Sequence, residues 1–375
     1  MKKNQLIMGL LVLAALVALI IWGRDRIHFD FGVFRAQLAM ADWRRIGLGF
    51  VCIYMAYAFR AARWARLLKH NKKVSPLSLL GTQVIGFTAI ALLGRVADPV
   101  RPYLVAKKTG LSLSSQIAVY IVERLFDAGS MALIFSSVIL YTAWFGAPGA
   151  LPHAEIVKRA GYWGMAFTVL GALFLVAVRV AGDVVASYLE RTFSLASKKL
   201  GHAVGEKVRS FHAGLDTMRT FTDFAVVAAL SLSMWLVITL SYLEITRAFV
   251  ASPPLESMTL AKCMLLLAFS GGASVFQLPV LGWFTQIGLV AAAITSFYGA
   301  APEAATACSA TLLLVTFLGI VPVGLVWAQL DHVSLRKVTV ESEHAEEKLE
   351  EKQIMDPFAE APQADSQESI KSKRF

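Results

Sequence analysis

The sequence predicts an all-α polytopic membrane protein with about six full transmembrane helices, two re-entrant or interrupted helical hairpins and an inverted repeat as its candidate symmetry. Hydrophobic residues make up 57% of the chain and charged residues 17%. Soluble domains hold about half apolar and a quarter charged residues, so this composition belongs to the membrane class. Long apolar segments recur along the chain, and most charges lie between them or at their ends.

Six apolar segments are long enough to cross a bilayer, which takes about 20 residues of helix. They are residues 5–22, 44–68, 114–145, 160–180, 223–250 and 303–329. No small-x-small cleavage site precedes the charged run that begins at Arg24. We therefore expect the first segment to be an uncleaved span rather than a signal peptide.

The first predicted hairpin is the short apolar segment 77–94. Basic residues flank it on both sides, with Lys72 and Lys73 before it and Lys107 and Lys108 after it. By the positive-inside rule both flanks belong in the cytoplasm, and a single crossing cannot place them there. A re-entrant hairpin that lines a cavity or is buried in protein can do so.

The second predicted hairpin consists of residues 259–277 and 286–300, which surround the sequence QLPVLGWFT. Pro279 and Gly282 interrupt any helix there. Because the last span must deliver the C-terminal segment to the cytoplasm, this hairpin enters from the opposite side. Interrupted segments in corresponding positions of opposite-facing halves indicate an inverted repeat with a site near the bilayer midplane.

These segments define the domain organisation. Residues 1–330 form the integral membrane domain, with halves at about 1–180 and 222–330 and a polar cytoplasmic linker at 181–221. Residues 331–375 hold 7 basic and 11 acidic side chains and are poor in aromatic residues. This composition predicts a disordered cytoplasmic tail with some helix around Glu341 to Lys352. It also leaves a net charge of +14 on the first 330 residues, which suits anionic lipid headgroups rather than nucleic acid.

Three charged residues, Glu123, Arg124 and Asp127, lie well inside the apolar segment 114–145. Charges inside a membrane helix are costly and are retained for a reason. Glu123 and Asp127 share a face of the helix, and Arg124 and Asp127 are spaced to pair. The trio could neutralise itself and hold neighbouring helices together, or it could line a polar cavity that binds a charged substrate group.

A second charged cluster, formed by Arg95, Asp98 and Arg101, favours the cavity, because one internal ion pair would not need another cluster beside it. Three arginines, Arg60, Arg63 and Arg66, recur at three-residue spacing near the end of the segment 44–68. Snorkelling and membrane topology explain such a pattern in most helices. It is also compatible with an electropositive region where headgroups enter.

These motifs resemble a known family. The string G-R-x-x-(acidic)-P-x-R-x-Y from Gly94 to Tyr103, followed by E-R-x-x-D at residues 123–127, is similar to the transmembrane domain of lysylphosphatidylglycerol synthases. Two further stretches resemble the same flippase-like domain: RAARWARLLK, at residues 60–69, and QLPVLGWFTQIG, at residues 277–288. The resemblance covers roughly residues 40–330 of this chain.

The resemblance implies a translocation activity. Family members that synthesise lysylphosphatidylglycerol carry a further soluble aminoacyl-transfer domain, and only about 45 low-complexity residues follow the last span here, so synthase activity is not expected. Two positions depart from the family pattern. Asp98 stands where many members have Glu, and Gln286 stands where many have an acidic residue, which removes a charge there.

Other chemistry finds no support in the sequence. The seven histidines all lie outside the predicted spans, which argues against an intramembrane metal site or a Ser/His dyad. There is no phosphate-binding loop and no dinucleotide-binding turn. We therefore expect no cofactor, no metal site and no catalytic residue.

The sequence thus favours a flippase-like protein of the inner, plasma membrane, with both termini cytoplasmic, that moves an anionic or lipid-linked headgroup between leaflets. The predicted substrate-binding residues are Arg95, Asp98, Arg101, Glu123, Arg124, Asp127, Pro279, Gly282 and Gln286, and headgroups would enter at Arg60, Arg63 and Arg66. One alternative is a non-transporting accessory subunit that scaffolds a glycosyltransferase or lipid-modifying enzyme. Another is an intramembrane transferase that uses Glu123 or Asp127 as a base.

Overall fold

The computed structural model describes residues 29–145, 154–195, 197–215, 220–273, 281–335, 337–342 and 344. Every regular element within these ranges is helical, with no strand. The predicted all-α polytopic fold is therefore confirmed. The predicted first span, residues 5–22, lies outside the described residues, as does Pro279.

Thirteen α-helices are described. They are α1 (Phe31–Ala39), α2 (Trp43–Leu68), α3 (Pro76–Leu93), α4 (Val100–Thr109), α5 (Leu113–Phe145), α6 (Ala154–Ser194), α7 (Lys198–Leu215), α8 (Phe221–Arg247), α9 (Pro253–Glu256), α10 (Leu260–Ala273), α11 (Leu281–Tyr298), α12 (Pro302–Thr316) and α13 (Val321–Leu330). Single 3₁₀ turns cover Arg95–Ala97 and Leu318–Ile320.

Five helical segments within the described ranges are long and apolar enough to cross a membrane. They are α2, α3, α5, α8 and the nearly continuous segment Pro302–Leu330. A sixth crossing is possible in α6, where Glu155–Gly171 and Val176–Ser194 meet at an angle of 67°. Five of the predicted crossings thus have a helical counterpart, and α3 is a further segment of sufficient length.

The central pair of the fold is α2 and α8, which run antiparallel. At one end the Asp42 amide donates to the Ala248 carbonyl oxygen over 2.8 Å. At the other end Arg66 lies 2.8 Å from the Asp223 carboxylate. Local sequence fixes these ends, because Asp42 caps α2 and Thr220 forms a capping box with Asp223 at the start of α8. We call the two ends of the molecule the Asp223 end and the Ala248 end.

Helices α3 and α4 form a helical hairpin that opens at the Asp223 end. Gly94, in a backbone conformation with φ of 80°, ends α3, and the 3₁₀ turn then reverses the chain. The Lys72 ammonium, just before α3, donates to the Thr109 carbonyl oxygen at the end of α4 over 2.5 Å. The two open ends of this first hairpin therefore lie side by side.

Helices α10 and α11 form a second hairpin that opens at the Ala248 end. The Tyr298 hydroxyl at the end of α11 donates to the Lys262 carbonyl oxygen at the start of α10 over 2.9 Å. Phe269 and Phe297 stack between the two helices, with ring centroids 5.0 Å apart. Arg247 donates to the Met258 carbonyl oxygen over 2.9 Å, which joins this open end to the end of α8. The hairpins thus open at opposite ends of the molecule.

The predicted linker, 181–221, is largely helical. The second part of α6 packs against α7, and Arg209 of α7 lies 2.6 Å from the Glu190 carboxylate of α6. Gly201 and Gly205 let α7 approach closely, because a β-carbon at either position would meet atoms of α6. The linker therefore folds as a helical pair that also contacts α5.

The part of the tail that the structure describes is a short helix packed against the membrane domain. Residues 337–342 are helical, and Val338 is 4% exposed in a cluster with residues of α3, α4 and α13. The Tyr103 hydroxyl of the first hairpin donates to the Glu341 carboxylate over 3.0 Å. A charged composition suggested disorder, but one apolar side chain on the inner face is enough to dock this turn. Residues 345–375 lie outside the described residues.

Val338→Asp should lower the melting temperature of the detergent-solubilised protein. The substitution removes a buried valine, which stabilises by about 2 kcal/mol, and puts an unpaired carboxylate in its place. Val340→Asp is the matched control, because Val340 lies on the same helix and is 47% exposed. Equal melting temperatures for the two variants would contradict the docking of this segment.

Candidate functional site

Two carboxylates inside the helix bundle organise the candidate site. Glu123 and Asp127 lie one turn apart on α5 and are 1% and 5% exposed, respectively. Burial of an isolated carboxylate is very costly, so each must find partners of opposite charge. Four guanidinium groups from three helices supply them.

Arg63 of α2 bridges the two carboxylates. Its Nη2 lies 2.6 Å from Glu123 Oε1, and its Nη1 lies 2.6 Å from Asp127 Oδ1. Nη1 also donates to the Ser231 hydroxyl of α8 over 2.8 Å. The side chain is 1% exposed. One arginine therefore ties α2, α5 and α8 together in the interior.

Arg101 links the first hairpin to the Glu123 carboxylate. Its Nη2 lies 2.9 Å from each Glu123 oxygen and 2.7 Å from Gln83 Oε1. Gly86 of α3 leaves room for this side chain, because a β-carbon there would collide with Arg101 Cγ. The guanidinium lies over the Phe87 ring, 4.4 Å from its centroid, a cation–π contact that further stabilises the buried charge.

Arg124 and Arg60 hold the outer side of the cluster. Arg124 Nη2 lies 2.9 Å from Asp127 Oδ2 and 3.2 Å from Glu123 Oε1, which confirms the predicted pairing of Arg124 with Asp127. The Arg124 side chain is 40% exposed. Arg60 Nη1 is 3.8 Å from each carboxylate, outside hydrogen-bond range. Arg60 is therefore the arginine least satisfied by the carboxylates, and Arg124 is the most exposed of the four.

The charges of this cluster do not cancel. Four guanidinium groups surround two carboxylates, which leaves an excess of two positive charges in this charged cluster (Arg60, Arg63, Arg101, Glu123, Arg124 and Asp127). Asp98, which lines the cavity and interacts electrostatically with Arg124, reduces the excess beside the cavity to one. An excess of buried positive charge is a stable arrangement only where an anion or solvent can approach it.

A cavity of about 530 Å³ lies against the outer side of the charged cluster. Arg60, Asp98 and Arg124 line one side of it, and Ser270 and Gln286 of the second hairpin line the other. Much of the remaining lining is apolar or aromatic, and includes Ile53, Tyr57, Phe87, Tyr120, Met131, Trp235, Ile238, Leu267 and Phe317. The cavity therefore lies between the two hairpins, with cationic groups on one side and neutral polar groups on the other.

The structure brings together most of the residues that the sequence selects. Asp98, Arg124 and Gln286 line the cavity, and Arg101, Glu123 and Asp127 form its charged support behind them. Gly282 is buried in the first turn of α11. The side chain of Arg95 lies outside the described part of the structure, as does the whole of Pro279.

The predicted headgroup region at Arg60, Arg63 and Arg66 needs correction, because the three arginines do not share one surface. Arg63 is buried in the charged cluster, and Arg60 reaches the cavity. Arg66 points instead to the Asp223 end, where it pairs with Asp223. Helical spacing of three residues spreads such side chains along and around the helix, and the acidic partners on α5 and α8 decide where each one binds.

Sequence reasoning missed several contributors: Gln83 and Phe87 of α3, Tyr120 of α5, and Ser231 and Trp235 of α8. Each is an ordinary residue of an apolar helix, and none carries a charge. The one usable signal was the number of arginines. Arg60 and Arg63 lie well before the end of α2 at Leu68, farther inside the span than snorkelling needs.

These features define the class of the protein: a polytopic helical membrane protein with a charged cluster buried at the base of a cavity between two helical hairpins. The lysylphosphatidylglycerol synthase transmembrane region matches residues 6–325, most of the chain. The protein belongs to this family, as the resemblance of its motifs predicted. No match was found among curated proteins or among solved structures.

Arg63→Ala should destabilise the protein strongly. Its removal takes the 2.6 Å partner from Asp127, which keeps only Arg124 within hydrogen-bond range, and breaks the contact with Ser231. Loss of one partner from a buried ion pair costs roughly 3–5 kcal/mol. Arg45→Ala is the matched control, because Arg45 also pairs a glutamate of another helix, Glu244, over 3.1 Å, but is 39% exposed. Exposed pairs contribute about 1 kcal/mol or less. Thermal unfolding of the two purified variants should differ by several degrees, and equal losses would contradict a structural role for the buried cluster.

Proposed function

We propose that this protein translocates an anionic lipid or lipid-linked headgroup between membrane leaflets. One observation supports the proposal above the others: the excess positive charge of the charged cluster faces a cavity with apolar walls. A phosphate group would neutralise that excess, while the apolar walls would accept the beginning of hydrocarbon chains. Such a cavity suits an amphipathic anion better than a soluble ion.

The arginines that face the cavity have unused hydrogen-bond donors. Arg60 Nη1 and Arg124 Nε are buried atoms with no hydrogen-bond partner. Guanidinium groups bind phosphate through short charge-assisted hydrogen bonds in a fixed planar geometry. We infer that Arg60 and Arg124 bind the phosphate, and that Glu123, Asp127, Arg63 and Arg101 hold those two arginines in position.

The hairpins provide a route for alternating access. We propose that both are re-entrant and meet near the bilayer midplane, since Asp98 of the first and Gln286 of the second line one cavity while their open ends lie at opposite ends of the molecule. This arrangement is the one expected of inverted repeats around a central site. Movement of either hairpin relative to the α2–α8 pair would open the cavity to one leaflet or the other.

We further propose that the Asp223 end is cytoplasmic and that the membrane is the inner, plasma membrane. Lys69, Lys72, Lys73, Lys107 and Lys108 all lie at this end, as the positive-inside rule requires. We propose no enzymatic activity for the described domain. The carboxylates of Glu123 and Asp127 are already engaged by arginines, so neither is free to act as a base.

Arg124→Gln should abolish most lipid movement without unfolding the protein. The remaining arginines still neutralise both carboxylates, whereas a charge-assisted bond to substrate phosphate is lost, which should slow transport about tenfold or more. The measurement is flipping of fluorescent phosphatidylglycerol in vesicles that contain the purified protein. Arg44→Gln, on the exposed first turn of α2, is the control and should behave as wild type.

Three outcomes separate the alternatives in this assay. A transporter moves lipid without any partner, whereas a non-transporting accessory subunit moves none. An intramembrane transferase changes the mass of the lipid, which mass spectrometry of the vesicles would detect. Normal movement by Arg124→Gln would contradict the proposed phosphate contact.

The proposed topology can be tested by cysteine labelling in a variant that lacks Cys52, Cys263 and Cys308. Ser75→Cys and Ser112→Cys flank the first hairpin, and Ser257→Cys and Ala301→Cys flank the second; all four positions are exposed. We expect a membrane-impermeant thiol reagent to label the first pair only from the cytoplasmic side and the second pair only from outside. Labelling of Ser75→Cys and Ser112→Cys from different sides would show that α3 crosses the membrane.

A further inference from the structure

The cavity has a neutral polar side opposite the arginines. The Tyr242 hydroxyl of α8 donates to the Ser270 hydroxyl oxygen over 2.8 Å, and Gln286 Nε2 donates to the same oxygen over 3.1 Å. All three residues line the cavity. The contacts join α8 to both helices of the second hairpin, so these groups are held in fixed positions.

Two polar atoms of residues that line the cavity remain without a partner. Gln286 is 7% exposed, and its Oε1 makes no hydrogen bond. Trp235 also lines the cavity, and its Nε1 makes none either. Buried polar atoms are nearly always bonded, so two unpaired atoms that line one cavity are candidate contacts for a ligand. One atom is an acceptor and the other a donor, and a hydroxyl group can satisfy both kinds.

The same side carries no charge. Asp98 is the one acidic residue of the described cavity lining, and it interacts electrostatically with Tyr120 and Arg124 on the opposite side. An ammonium group placed against Gln286 would lie in a largely apolar surrounding without a carboxylate. Burial of an unpaired cation is strongly unfavourable, so this side selects against cationic headgroups.

We propose that Gln286 and Trp235 form a specificity site for a neutral, hydroxyl-bearing substituent on the phosphate that Arg60 and Arg124 bind. The substrate class is a phosphodiester with a polyol group, such as a glycerol or a sugar. This inference rests on the proposed function, since it assigns the part of the headgroup that lies beyond the phosphate. The same chemistry occurs in lipids and in soluble phosphodiesters, and the apolar cavity walls favour the lipid.

Two fluorescent lipids test the proposal. Phosphatidylglycerol and phosphatidylethanol carry the same charge and the same phosphodiester, but only the first has headgroup hydroxyls. Wild-type protein in vesicles should move phosphatidylglycerol about fivefold to tenfold faster than phosphatidylethanol, because the glycerol hydroxyls can form one or two additional neutral hydrogen bonds. Gln286→Leu should bring the two rates together by slowing phosphatidylglycerol alone. Trp235→Phe, which removes the orphan donor and keeps the aromatic ring, should reduce the difference in the same way.

Gln329→Leu is the matched control, because Gln329 is exposed near the end of α13 and lies outside the cavity lining. It should keep the wild-type preference. Equal movement of both lipids by wild-type protein would overturn the specificity site and leave the proposed function standing, and this comparison needs no variant to fold. Movement of neither lipid would contradict the proposed function itself. Uptake of soluble glycerophosphoglycerol in place of the lipid would show that the ligand is a free phosphodiester and would overturn the lipid assignment.

Discussion

The bridge from Arg63 to Glu123 and Asp127 is the interaction on which the rest of this structure depends. It joins α2 and α5 through two 2.6 Å contacts and reaches α8 through Ser231. Without it, Asp127 would keep only Arg124 within hydrogen-bond range, in the interior of a membrane protein where poorly paired charges are least tolerated. Arg63 binds one oxygen of each carboxylate. The other three arginines can therefore have roles besides neutralising these two charges. Arg101 fixes the first hairpin, and Arg60 and Arg124 face the cavity.

This division explains how one charged cluster can be both structural and functional. The inner arginines, Arg63 and Arg101, are 1% exposed and are held by short contacts to the buried carboxylates. The outer arginines have donors to spare and border on the cavity. The charged cluster alone has two positive charges in excess. The phosphate of the proposed substrate would offset this excess. A bound anion would be held by groups whose positions the fold has already fixed, which lowers the entropic cost of binding.

Much of the fold could be predicted from the sequence, because hydropathy and the placement of basic residues depend on simple physical rules. The spans at α2, α5 and α8 follow from apolar length, and the first hairpin follows from lysines on both of its flanks. The pairing of Arg124 with Asp127 follows from helical spacing. The docked turn at residues 337–342 was missed, since its composition is that of a disordered segment and only Val338 reveals its inner face.

The buried bridge could not be predicted, because Arg63 is 60 residues from Glu123 and the pairing depends on how α2 packs against α5. The same holds for Gln83, Trp235 and Ser270, which are neutral residues in apolar helices and gain a role only when the hairpins meet. Spacing within one helix predicts which residues share a face. It does not predict which helix that face contacts, so the separate surroundings of Arg60, Arg63 and Arg66 could not be predicted.

The central claim is that the cavity binds an anionic lipid through Arg60 and Arg124. The most direct measurement is mass spectrometry of the lipids that remain bound to purified protein, compared with the lipids of the membrane from which it came. Anionic phospholipid should be clearly enriched in wild-type protein, and the enrichment should be lost in the double variant Arg60→Gln with Arg124→Gln. Bound lipid of the same composition as the membrane, or the same enrichment in the double variant, would contradict this claim.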